Sequence, residues 1–259
     1  MKVAVITGAS SGLGREYVRQ IAETEPDIQE IWVIARRRER LEELRNSIKT
    51  TVIRPIPMDL TSPESIDRIE ELYESERPEI AILINAAGFA KIGNYKTVSR
   101  ADNDKMIDLN CRAAVGMTSI SIPYMKKGSR IMEICSTAGF QPFQYLSVYA
   151  ASKAFLYRYT RALRVELFGT GIKVTAVCPY WIRDTEFIPT AKKTADGGVG
   201  IRHFPLSSTA KAIASRSLFA SRIGLPVCTP GIMCSAHWVT AKFIPAEFMM
   251  GIREILRRV

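Results

Sequence analysis

The sequence predicts an α/β fold: a doubly wound parallel sheet of about seven strands with helices on both faces. Three observations predict it. Short runs rich in β-branched residues recur along the chain, segments with helical apolar spacing separate them, and polar or glycine residues follow one run after another. Such an alternation needs crossover helices and therefore parallel strands buried on both faces.

The predicted strands are Lys2 to Thr7, Glu30 to Ala35, Thr51 to Pro57, Ile80 to Ile84, Arg130 to Cys135, Ile172 to Cys178 and Pro226 to Thr229. Between them, Leu41, Leu44 and Ile48 mark one helical face and Ile66, Ile69 and Leu72 another. Thr61-Ser62-Pro63-Glu64 is a helix start with proline in the first turn. From Arg183 to Pro205 the pattern is loop-like, with Gly197, Gly198 and Gly200 as hinges and Phe187, Ile188, Ile201 and Phe204 as apolar contributors. We read this segment, about 183–205, as a lid over an apolar substrate.

No linker, repeat or low-complexity tract divides the 259 residues, so one domain spanning 1–259 is expected. Val3-Ala4-Val5-Ile6 is too short for a signal-peptide core, and no apolar run approaches the ~20 residues that span a bilayer. Cys111, Cys135, Cys178, Cys228 and Cys234 form no CxxC pair, and two isolated histidines, His203 and His237, offer no zinc spacing. We therefore expect no metal and a reduced, cytoplasmic setting. The net charge of +10 has its sharpest cluster at Arg36-Arg37-Arg38-Glu39-Arg40, without the aromatic interleaving of a nucleic-acid surface.

The strand ends converge on one sheet edge, where open parallel sheets bind ligands. Gly8, Gly12 and Gly14 follow the first strand and open a helix, so a pyrophosphate can approach the backbone amides. The spacing GxxxGxG departs from the GxGxxG of the commonest dinucleotide folds. At the end of the second strand stand Arg36 and Arg37 where an NAD-selective site would hold a carboxylate, and guanidinium groups suit a 2′-phosphate. NADP(H) is the expected cofactor. Asp59 follows the third strand, Asn85-Ala86-Ala87-Gly88 the fourth, Ser136 the fifth and Pro179 the sixth.

Tyr149 and Lys153 share a helical face at i and i+4. A phenol titrates near 10, and moving it to neutrality takes roughly 4 kcal/mol, which a cation ~4 Å away supplies at an effective dielectric near 20. Lys153 is accordingly expected to lower the Tyr149 pKa.

On Thr7-Gly8-Ala9-Ser10-Ser11-Gly12-Leu13-Gly14, Asp59-Leu60, Asn85-Ala86-Ala87-Gly88, Asn110, Ser136, Tyr149 and Lys153, the chain resembles the short-chain dehydrogenase/reductase family of the single-domain, Rossmann-like type. The resemblance covers residues 1 to 185 by motif and the rest by length and layout. It implies that Tyr149 donates a proton to a carbonyl oxygen held by Ser136 while the nicotinamide delivers hydride, with the roles reversed in alcohol oxidation. It implies further that Lys153 binds the nicotinamide ribose and that Asn110, in the Arg100 to Lys126 helical region, holds a water linking the lysine to solvent. Ser10, Ser11 and Leu13 of the glycine turn, Asp59 and Leu60 near the adenine, Asn85, Ala86 and Gly88, and Pro179, Ile182 and Thr185 complete the implied cofactor contacts.

Two departures stand out. Ala86 replaces the family's second asparagine, which is expected to weaken a structural hydrogen bond, and Pro179-Tyr180 replaces Pro-Gly, placing Tyr180 and Trp181 beside the nicotinamide pocket.

The segment of about 231–259 carries Met233, Trp238, Phe243, Phe248, Ile252, Ile255 and Leu256 among Lys242, Arg253, Arg257 and Arg258. It could line the pocket, pack at the interface of a homodimer or homotetramer, or make a peripheral membrane contact. The expected activity is NADP(H)-dependent interconversion of a ketone and a secondary alcohol on a bulky lipophilic molecule, for example a hydroxysteroid. The alternatives are a β-ketoacyl reductase acting on a carrier-protein or CoA thioester, and a non-catalytic NADP(H) sensor.

Overall fold

The structure, a computed structural model, describes residues 1–197, 201 and 206–258. Within the expected lid, residues 198–200 and 202–205, including Gly198, Gly200, His203 and Phe204, lie outside the described residues, as do Val259 and the side chains of residues 253 and 256–258. In chain order the elements are β1 (Lys2–Thr7), α1 (Gly12–Thr24), β2 (Glu30–Ala35), α2 (Arg38–Ser47), β3 (Val52–Pro57), α3 (Pro63–Glu76), β4 (Glu79–Asn85), α4 (Arg100–Ile107) and α5 (Ala113–Ser121). There follow β5 (Arg130–Ile134), α6 (Ser147–Glu166), β6 (Lys173–Val177), α7 (Phe187–Ala191), α8 (Ala210–Arg222), β7 (Val227–Cys228), α9 (Ile232–Phe243) and α10 (Ala246–Arg258).

The seven strands pair in the order β3-β2-β1-β4-β5-β6-β7, all parallel. Alternation along each strand feeds two cores, since successive side chains point to opposite faces. From β1, Ala4 and Ile6 join Tyr17, Ile21, Leu41, Leu44, Ile213 and Leu218 under α1, α2 and α8. Val3 and Val5 point the other way, toward Tyr73, Met117 and Leu163 of α3, α5 and α6. The strand order reverses between β1 and β4, which opens a crevice beyond their carboxyl ends.

Two stretches differ from expectation, and a third, the tail, has elements that the sequence pattern does not delimit. The Arg100 to Lys126 region is not one helix, because a π-helical turn, Asp108–Arg112, separates α4 from α5. The segment expected to form a lid is not all loop. It contains α7, and Ile182 bridges Ser208 at its base. The C-terminal tail breaks into α9 and α10 around Pro245, whose ring cannot continue the α9 hydrogen bonding.

Candidate active site

The crevice is a cleft lined by the glycine turn, the ends of β2 to β6 and residues of the segment that follows β6. Gly8 has φ +68°, and a Cβ there would come within 2.7 Å of the Ala87 nitrogen. The turn after β1 thus lies directly on the turn after β4, a closeness only glycine allows. Ser11 precedes α1 without a side-chain cap, and the first turn of that helix holds no acidic residue. Its amides are left for an anion, and this cradle fits a pyrophosphate.

Arg37 stands at the head of α2 and reaches back across the turn, donating from Nε and Nη2 to the Ser10 hydroxyl at 3.3 and 3.1 Å and from Nη2 to the Ser11 hydroxyl at 2.7 Å. Arg36 lies 3.7 Å from Asp59. Two guanidiniums and two hydroxyls at the end of β2 form the donor set that a phosphate monoester takes.

On the far side of the cleft, Ser136 follows β5 and its hydroxyl accepts from the Ala138 amide at 3.1 Å. Tyr149 and Lys153 project from the first turns of α6, 6% and 5% exposed. The Lys153 ammonium donates to the Ile134 carbonyl at 2.6 Å and sits 5.9 Å from the Tyr149 ring centre. Burial pushes the Tyr149 phenol up to about 12, with the Ser136 hydroxyl pulling the other way through a hydrogen bond. The expectation that Lys153 brings this phenol toward neutrality is corrected. Burial also lowers the lysine's own pKa, so its charge is disfavoured in the same dry surroundings.

Asn110 falls in the π-helical turn and is fully buried. Its Nδ2 donates to the Phe89 carbonyl and the Ser152 hydroxyl, each at 3.0 Å, and its Oδ1 accepts from the Phe89 amide at 3.1 Å. The wider turn thereby ties the chain after β4 to the residue next to Lys153. Asn85 is likewise buried, its Nδ2 donating to the Glu133 carboxylate at 2.8 Å, Thr118 Oγ1 at 2.9 Å and the Ala114 carbonyl at 3.2 Å. Beside Ala86, the Ala87 amide donates to the Thr7 hydroxyl at 3.0 Å.

Of the residues expected at the site, Asn85 and Asn110 stand behind the cleft wall. Gly8, Ser10, Ser11, Gly12, Leu13, Gly14, Arg36, Arg37, Asp59, Leu60, Ala86, Gly88, Ser136, Tyr149, Lys153, Pro179, Ile182 and Thr185 line it. Sequence reasoning missed Phe89, Phe143, Leu146 and Glu186 there. Phe143 and Leu146 belong to the loop before α6, where Tyr145 holds a left-handed backbone at φ 62°. Together with Trp181 and Phe187 they make an apolar wall around Tyr149, whose ring centre is 5.7 Å from that of Phe187. The tail meets this loop, because Gln141 and Gln144 donate to the Ile244 and Met250 carbonyls at 3.0 and 2.9 Å. Ile232, Phe243 and Phe248 of the tail stay exposed. His237 rests edge-on against Phe140. All five cysteines are buried and unpaired, and no cluster of potential metal ligands occurs among the described residues.

With the geometry in place, the comparisons with known proteins are specific. The short chain dehydrogenase family model matches residues 2–196. An uncharacterized oxidoreductase of Staphylococcus epidermidis is 31% identical over 180 residues, covering 69% of this chain and 76% of the relative. The ketoacyl reductase HetN of Nostoc sp. is 31% identical over 218 residues, 83% of this chain and 73% of HetN. A short-chain dehydrogenase from Sphingobium yanoikuyae, solved in complex with NADPH, matches with a TM-score of 0.78 and 27% identity over 99% of this chain and 94% of that one. The chain belongs to the short-chain dehydrogenase family and is an oxidoreductase. No described helix is long and apolar enough to cross a membrane.

Proposed function

We propose that this protein is an NADP(H)-dependent oxidoreductase that interconverts a ketone and a secondary alcohol on a bulky lipophilic substrate such as a hydroxysteroid. The observation that carries this reading is one cleft with the Ser136, Tyr149 and Lys153 side chains inside an apolar wall at one end and Arg36 and Arg37 at the other. Glycines and an uncapped α1 lie between. When bound, the nicotinamide supplies or accepts the hydride.

The chain's own residues handle the oxygen and its proton. With its pKa pushed up to about 12, Tyr149 is a protonated phenol at neutral pH and serves as the acid for a developing alkoxide. The Ser136 hydroxyl, hydrogen-bonded to that phenol, holds the same oxygen. Lys153, fixed by the Ile134 carbonyl, favours the phenolate left after proton transfer. Asn110 keeps Ser152, and hence the Lys153 turn, in register with the chain after β4.

The test is oxidation of NADPH and of NADH by the purified protein against steroid ketones, small aliphatic ketones and acetoacetyl thioesters. Turnover of a bulky ketone with NADPH supports the proposal, and turnover confined to thioesters replaces it with the β-ketoacyl reductase reading, which the likeness to HetN favours. NADPH binding without any turnover would favour the sensor.

Arg37→Ala is expected to weaken NADPH binding roughly tenfold and NADH binding little, as befits loss of a charge-assisted hydrogen bond to phosphate. Equal effects on the two cofactors in a fluorescence titration would place the 2′-phosphate elsewhere.

A further inference from the structure

Two guanidiniums beyond the end of β2, those of Arg37 and Arg40, already hold an anion from within the chain. Glu186, the residue before α7, accepts from Arg40 Nη1 at 2.6 Å through Oε1 and from Arg37 Nη1 at 3.0 Å through Oε2. The two arginines keep its carboxyl below the usual carboxylate range, Arg40 contributing most. Four of the five N–H donors of Arg37 are thereby engaged, with Nε and Nη2 on Ser10 and Ser11 and Nη1 on Glu186.

We propose that Glu186 is a resident counter-anion of the 2′-phosphate site and a specificity-determining residue. It offsets one of the two positive charges of Arg37 and Arg40 while no 2′-phosphate is present, and it gives up Arg37 when NADP(H) binds. The inference rests on the NADP(H) reading above. A phosphate drawing on the same guanidinium would bring like charges together, so carboxylate and phosphate compete for Arg37. A cofactor with a free 2′-hydroxyl brings no such charge and leaves the contact intact. The position of Glu186 gives the exchange a reach beyond the adenosine end. Thr185 beside it packs on Gly12, and Phe187 after it lies against the Tyr149 ring.

Calorimetric binding of 2′,5′-ADP and 5′-AMP tests this without any turnover, in wild type, Glu186→Gln and Glu186→Ala. Both variants are expected to bind 2′,5′-ADP about three- to tenfold more tightly than wild type, because a half-exposed ion pair no longer has to be broken, and 5′-AMP within about twofold. Wild type that prefers 2′,5′-ADP, with a preference unchanged in both variants, overturns the role of Glu186 and leaves the cofactor reading standing. Weaker binding of both nucleotides in the variants overturns it too, since Glu186 would then be a clamp over the bound nucleotide. No preference for 2′,5′-ADP in wild type removes the phosphate site itself, and this inference with it.

Discussion

Tyr149→Phe is expected to lower kcat by about 10²- to 10⁴-fold, the range of a positioned general acid, while NADPH affinity stays within about twofold of wild type. The substitution removes one hydroxyl and keeps the ring that packs against Phe187 in the apolar cluster. Packing and cleft shape are therefore preserved, and the loss falls on the proton. Stopped-flow reduction of a turned-over ketone, with cofactor binding measured separately, checks it. Retention of more than about a tenth of wild-type kcat would mean that another group or a water supplies the proton.

The same residue marks where charge reasoning from sequence went astray. Spacing on one helical face placed Lys153 near Tyr149, and the structure has them together. The sign of the pKa shift follows from burial, which one sequence does not reveal. With Tyr149 and Lys153 both nearly enclosed, desolvation outweighs the Ser136 hydrogen bond and the phenol rises, while the lysine's own charge is disfavoured. In the ketone-reducing direction this suits the chemistry, because the acid is loaded throughout the neutral range.

The sheet was legible because each parallel strand is a short, mostly apolar run that gives way at or just after its end to a polar residue, a proline or a glycine. β1 and β2 have the expected bounds, and the other strands differ by one or two residues at their ends, where pairing rather than composition decides. The π-helical turn at Asn110 was not legible. It is held by contacts to Phe89 and Ser152, 21 and 42 residues away. Glu186 was missed for the same reason, since its arginine partners lie 149 and 146 residues earlier. A carboxylate directly after Thr185 was the available signal, but nothing local tied it to Arg37. Glu133 was overlooked inside a strand recognised by its apolar neighbours, Ile131, Met132 and Ile134.

Glu133 gives the second large expectation. It is fully buried on β5, and its Oε1 accepts from Thr118 and Asn85 at 2.7 and 2.8 Å. Its Oε2 and the Asn85 Oδ1 are buried with no hydrogen-bond partner among the described residues. Burial raises this carboxyl from 4.5 to about 7, against the two hydrogen bonds and the Lys153 charge. The folded state therefore binds the proton more tightly than the unfolded chain, and stability must fall as pH rises from about 4.5 through about 7. Glu133→Gln keeps the size and an acceptor for Asn85 and Thr118 but cannot ionise. Its stability relative to wild type is expected to grow with pH and to level off above pH 8 at roughly 3 kcal/mol, a few hundredfold in the folding equilibrium. Urea unfolding of both proteins from pH 5 to pH 9 reads this directly. Parallel curves would show that Glu133 is ionised throughout, and Lys153 would then face a full buried charge behind the Ile134 carbonyl that it holds. The carboxyl also anchors Asn85, the last residue of β4 before the turn that lies on Gly8. A carboxyl whose pKa burial raises therefore sits behind the cofactor cradle, and any pH dependence of NADPH affinity that it causes in wild type is expected to vanish in Glu133→Gln.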